Sequence, residues 1–358
     1  MGGSADTGGS SAGGGASSSG GAGGAGNPNG HCTIPAAAQM EDTSKPAHVV
    51  GTGSAASCTS AAFIAAVAQG GVITFACGPN PVTIQMTDTA KIFNQVNGVN
   101  NQKIVIDGGG KITLDGGRAH RILYQNTCDQ SLIWATTSCD IQSFPQLTVQ
   151  NITFANALGA ASEVDSNGVN GGGAIYVGGG TFKAYNIAVV NSSETSPAGQ
   201  LAQDLAGGAI YAFELTAPAY IVNSTFQGNS GTNGGAIGGL FVSYVIINSV
   251  FTGNSATGHG MNPAAAGTTG GGLGGAIYND GNDYTLSICG TDFSSNTANE
   301  LGSGAIFQVV NNLNGDLMID QSTFHGNSNN GSVQSHAGIF VEAQAGNAGV
   351  TITNTTFN

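Results

Sequence analysis

The chain has 358 residues, 60 of them glycine, and sets 7 Lys or Arg against 20 Asp or Glu for a formal net charge of −13. An apolar share of 40% is too high for a disordered chain, the glycines keep no collagen period, and no apolar run is long enough to cross a bilayer as a helix. The acidic balance argues against a nucleic-acid partner and against strongly anionic ligands. The cations are Lys45, Lys91, Lys103, Lys111, Arg118, Arg121 and Lys183, so residues 184–358 contain no Lys or Arg.

Residues 1–30, after the first Met, are almost all Gly, Ala and Ser and read as a flexible tether that cannot bury enough surface to order itself. No secretory signal precedes it, so an exported protein would carry that signal elsewhere. Residues 31–71 read as an N-terminal arm ending in a short helix, Ser60–Gln69, followed by a strand at 72–77. The six cysteines lack CxxC or Cys-His spacing suited to zinc and are expected to form disulfides. Cys58 pairs with Cys77 across that helix and strand, Cys128 with Cys139 around Trp134, and Cys32 with Cys289 by elimination, free thiols being the alternative for the last two. Disulfides imply an oxidising compartment and hence an exported, secreted or cell-surface protein.

From residue 72 onward a unit recurs: GGAI, a β-rich stretch, then a strand ending in Phe and closely followed by Asn. GGAI stands at 172–175, 207–210, 234–237 and 274–277, with looser copies at 303–306 and 336–339. The strand ends place Phe154, Phe226, Phe251, Phe293, Phe324 and Phe357 in equivalent positions. A unit of about 25–40 residues with short β runs cannot cover its own apolar face and must stack on copies of itself. The expected fold is therefore all-β, a single-stranded parallel β-helix over residues 72–358, with nine or ten coils at roughly 30 residues each. Phenylalanines would stack in its core, Asn229, Asn254, Asn296 and Asn327 would bond along one turn, and the helix would cap the N-terminal edge.

The GGAI and FxxN repeats resemble those of polymorphic outer membrane proteins. The stretch VIDGGGKITLDGG at 105–117 is similar to bacterial right-handed β-helix repeat proteins of the pectate-lyase-like superfamily. The likeness covers residues 56–358 and implies a right-handed solenoid. It implies little about activity, because that superfamily holds lyases, glycoside hydrolases, adhesins and passenger domains.

Linkers between each Asn and the next GGAI leave one corner of the coil, and their lengths differ. Residues 157–171, 192–206 and 255–273 are long, whereas 230–233 is very short. A low coil between tall loops predicts a notch, walled by Glu194 and Asp204 on one side and His259 on the other, with Glu163 and Asp165 one coil away. The residue after each GGAI isoleucine is Tyr176, Tyr211, Gly238, Tyr278, Phe307 and Phe340. With Ile inward these point outward, and an exposed aromatic ladder would make a sugar-stacking floor, broken at Gly238 where the low coil lies. Inward aromatics, or an apolar stripe awaiting a partner protein, are the alternatives.

Three chemistries bear on the notch. Elimination on a polyuronate needs cations that only the early coils carry. Hydrolysis needs paired carboxylates, for which Asp204, Glu194 and Asp165 are candidates, with His259 in a GHG tripeptide like that of polygalacturonases; the NTD, paired-Asp and RIK motifs of those enzymes are absent. The run YNDGNDY offers Asp280 and Asp283 to Ca²⁺, against its plainer reading as a structural turn. No other cofactor is indicated. The expectation is a protein that binds extracellular polysaccharide, with cleavage left open and a glycosidase favoured over a lyase on charge grounds. The rival is a non-catalytic cell-surface adhesin or scaffold.

Overall fold

A computed structural model describes residues 26–159, 171–195, 201–300, 304–311, 315–329, 338–343 and 349–358. Every strand pairing among them is parallel except one short hairpin, Gln95–Val96 with Val99–Asn100, and two isolated bridges. The repeats stack as a parallel β-helix, each full coil contributing one strand to each of four ladders.

The first ladder holds the GGAI strands: Ala90–Ile92, Leu123–Asn126, Ile175–Gly178, Ile210–Phe213, Ile237–Leu240, Ile277–Asp280, Ile306–Val310 and Ile339–Ala343. Leu123, Ile175, Ile210, Ile237, Ile277, Ile306 and Ile339 stand in one row. The two glycines before each Ile have separate duties. Gly172, Gly207, Gly234 and Gly274 sit at φ 66°, 77°, 52° and 65°, which a side chain resists. The next glycine lies so close to neighbouring backbone that a Cβ on Gly173 or Gly275 would fall 2.2 or 2.0 Å from a carbonyl oxygen.

A 17-stranded sheet contains two further ladders, joined where the long strands Lys103–Asp115 and Gln146–Ala155 run through both. In one, Phe226, Phe251, Phe293, Phe324 and Phe357 stack with centroids 4.7–4.9 Å apart and planes within 14°. That spacing is the separation of paired strands, so each ring packs on the copy in the next coil. Phe154 joins this row through Val189, and the row continues on its other side through Leu114 and Ile84. The row also meets the Ile row and Ile221, Ile246 and Ile288 in one buried cluster, so three ladders enclose a single core.

A fourth, short ladder runs from Leu158–Gly159 to Ser328–Asn329. At the bend leading into it the asparagines bond as anticipated: Asn229 Nδ2 donates to Asn254 Oδ1 at 3.0 Å, Asn254 to Asn296 at 2.9 Å and Asn296 to Asn327 at 2.9 Å. Each oxygen also accepts the backbone N–H of the preceding Asn. A second polar row was not anticipated. Backbone N–H groups of Ser224, Ser249, Thr291 and Ser322 donate to the hydroxyls of Ser249, Thr291, Ser322 and Thr355, at 3.1–3.3 Å.

The helix spans Ser60–Gln69 as read from sequence, is N-capped by Thr59 Oγ1, and buries Phe63 and Val67 in the core cluster. The stacking begins earlier than residue 72, because His48–Val50 pairs with Gly71–Phe75. Three residues are too few for a period to show. Residues 26–30, read as the end of the tether, lie against the coil: Asn27 N–H donates to Asn248 O and its side chain to Gly290 O, both at 2.9 Å. All three disulfides join the cysteines expected, Cys32–Cys289, Cys58–Cys77 and Cys128–Cys139. Among the described residues no helix is long and apolar enough to cross a membrane.

Candidate functional site

The aromatic row does turn away from the Ile core. Tyr124, which the GGAI pattern did not reveal, pairs with Tyr176, then Tyr211, Gly238, Tyr278, Phe307 and Phe340 follow in register. The rings stack as Tyr124–Tyr176–Tyr211 and Tyr278–Phe307–Phe340, at 4.9–5.8 Å. They do not form an exposed floor. Tyr176, Tyr211, Tyr278 and Phe307 keep 1–3% of their surface, beneath a second apolar cluster that includes Leu132, Ala206, Leu273 and Val309. The loops fold back over the ladder because an exposed stack of rings is an apolar stripe that water drives them to cover.

Nor does a notch open at Gly238. The flanking loops meet over the short coil: Ala202 N–H donates to Thr269 O at 2.7 Å, and Asn233 joins Gln203 O, Leu205 O and Leu273 N–H. Ala206 occupies the place of the missing ring, and a Cβ on Gly238 would lie 2.4 Å from that of Ala206. Glu194 is buried, accepts the Thr232 N–H, and has its carboxyl pushed up by burial against the opposing charge of Arg121. Arg121 is also buried; it donates to Gly171 O and Gly172 O at 2.9 Å and lies 5.6–5.7 Å over the rings of Tyr124 and Tyr176. These two charges brace the underside of the loops. His259 is exposed and held by Glu300, and does not line the cavity beside Tyr278. Asp165 and Glu163 lie outside the described residues.

The opening lies one coil further on. A cavity of about 330 Å³ is lined by Gln203, Asp204, Asn262, Pro263, Leu273, Tyr278, Asp280, Phe307, Val309 and Asn311. Its polar wall is a chain of hydrogen bonds. Asn262 Nδ2 donates to Asp204 Oδ1 and to the Tyr278 hydroxyl, both at 3.1 Å; that hydroxyl donates to Asp280 Oδ2 at 3.0 Å; Asn311 Nδ2 donates to Asp280 Oδ1 at 2.8 Å.

Asp280 is placed by the ladder itself, two residues after Tyr278 on the same outward face, whereas Asp204, Asn262 and Asn311 arrive on loops. Burial pushes the Asp280 carboxyl up, and the Asp204 charge adds to the rise against the donors from Tyr278, Asn311 and Gly281. Asp204 is exposed. Asp280 lines the cavity, whereas Asp283, its neighbour in the YNDGNDY run, is exposed and does not. Among the described residues no group of three or more His, Cys, Asp or Glu is placed to hold a metal ion.

Of the residues anticipated, the structure brings Asp204, Tyr278 and Phe307 together with Asp280, and leaves Glu194, His259, Tyr176, Tyr211 and Gly238 outside the cavity. Asn262 and Asn311 carried no sequence signal, since neither stands in a repeated position. No protein-family model matches this chain, and no curated protein or solved structure matches it.

Proposed function

We propose that this β-helix is an exported protein of the pectate-lyase-like kind that binds extracellular polysaccharide in the Asp204–Asp280 cavity and cleaves it by hydrolysis. The observation that carries this reading is the carboxylate pair: one half-buried with its proton affinity raised, one exposed, linked across a cavity with an aromatic and aliphatic wall. Asp280 is suited to protonate the leaving oxygen and Asp204 to activate water. Hydrogen bonds of 3.1, 3.1 and 3.0 Å connect them, which keeps the carboxylates within ~9.5 Å, the upper limit for a pair with room for a water between. Phe307 and Leu273 offer apolar surface to a pyranose face.

Elimination fits less well. Lys103 and Lys183 are engaged by Glu41, Arg121 is committed to backbone carbonyls, and no cation lines the cavity. The three disulfides support export. The test is incubation with a panel of neutral, basic and acidic polysaccharides, following both reducing ends and the absorbance of unsaturated products. Reducing ends without unsaturation, lost in Asp280→Asn, are expected. Silence across the panel from folded protein would leave a non-catalytic adhesin or scaffold as the function.

A further inference from the structure

The cavity's charge is lopsided: Asp204 and Asp280 line it and no Lys or Arg does. The Asn262 amide spends its donors on Asp204 and Tyr278, the Tyr278 hydroxyl spends its proton on Asp280, and the Asn311 amide donates to Asp280. What these side chains leave unspent is the second oxygen of Asp204, the carbonyl oxygens of Asn262 and Asn311, and the second Asn311 amide proton. Gln203 accepts the Ala264 N–H through its oxygen, which leaves its own amide protons as neutral donors, so the unspent neutral groups are mixed and Asp204 supplies the charge. A ligand that only accepts, such as a carboxylate or sulfate, meets no charged partner here.

The surroundings point the same way. Residues 184–358 supply Asp204, Asp280 and every other side chain of this wall without one Lys or Arg, so nothing nearby offsets the negative potential. The opposite wall, Phe307, Leu273 and Val309, is apolar and suits a sugar ring or its cationic edge.

We infer that the cavity selects glycans bearing protonated amino groups, unacetylated hexosamines, with the ammonium seated on Asp204 and the free amide oxygens; this rests on the polysaccharide reading above. An ammonium carries three donors and a positive charge, which suit the Asp204 carboxylate and the amide oxygens beside it. An N-acetylated sugar loses the charge and with it the ionic attraction to Asp204. A neutral sugar fills the same space with weaker hydrogen bonds.

The experiment is calorimetric titration of the intact chain with three tetrasaccharides: β-1,4-linked glucosamine, its N-acetylated counterpart and glucose. Each is measured at about 20 and about 500 mM NaCl. The glucosamine oligomer should bind about tenfold tighter than the other two at low salt and lose most of that advantage at high salt or in Asp204→Asn. Equal or tighter binding of the acetylated or glucose oligomer overturns the amino-sugar assignment while leaving a glycan site in place. No binding of any oligomer by folded protein overturns both. Glucosamine binding unchanged in Asp204→Asn also overturns the assignment.

Discussion

The asparagine row makes a quantitative demand on stability. Asn254 is fully buried; its Oδ1 accepts both the backbone N–H and the side-chain amide of Asn229, and its Nδ2 donates to Phe226 O and Asn296 Oδ1. Truncation to Ala strands the Asn229 N–H and one Asn229 amide proton, since Asn296 Oδ1 still receives the residue 254 N–H and the Phe226 carbonyl keeps its place in the strand ladder. Each stranded buried group costs about 1–3 kcal/mol, so with two of them Asn254→Ala should lose about 2–6 kcal/mol. Asn254→Asp keeps the acceptor but turns a second oxygen on Phe226 O and Asn296 Oδ1, and should be at least as damaging. The assay is urea denaturation followed by far-UV circular dichroism, with Gln227→Ala, exposed on the adjoining coil, as a control expected to move stability by no more than about 0.5 kcal/mol. A cost below about 1 kcal/mol for Asn254→Ala would show that the row merely accompanies the bend and does not hold it.

Other perturbations follow the same logic. Phe251→Ala removes a fully buried ring between Phe226 and Phe293 and should cost about 3–5 kcal/mol in the same assay, with Phe251→Leu much milder. Paired Cys32→Ser and Cys289→Ser should free the start of the arm, read as faster proteolysis near residue 32 with the coil resistant. Hydrogen bonds from Gln321, Thr353 and Asn354 hold the Asp320 carboxyl down to about 2, so its contribution is present above its usual value and is lost as pH falls toward 2; Asp320→Asn should flatten that part of an acid-unfolding curve. Because the Asp280 carboxyl is raised, cleavage should persist to higher pH than a free carboxylic acid would support and fall as that carboxyl ionises, visible in a pH profile of initial rates.

Periodicity decides what could be read in advance. Ile210, Phe226 and Asn229 each recur once per coil, so their roles as core row, ring stack and bend row follow from sequence alone, and Tyr211 turns outward because it adjoins Ile210. Loops have no period. The closing of 201–206 onto 255–273 depends on Asn233, Ala202 and Thr269, none of which announces its partner. The ladder therefore proves covered where exposure was expected, and the opening shifts from the Gly238 rung to the Tyr278 rung. His259 shows the same limit: its place in a GHG tripeptide says nothing of Glu300, which holds it elsewhere. Asp280 was visible in the sequence, but as an oxygen ligand of a turn; only the coil geometry puts it opposite Asp204.

Filling the cavity tests its role most directly. Asn311→Phe places a ring at the rim beside Asp280, whereas Thr148→Phe fills a separate cleft of about 210 Å³ beneath the arm at Glu41. Binding of the best polysaccharide from the panel, measured by calorimetry on both variants with folding checked by circular dichroism, should vanish in Asn311→Phe and survive in Thr148→Phe. Undiminished binding by folded Asn311→Phe would place the site elsewhere on the molecule.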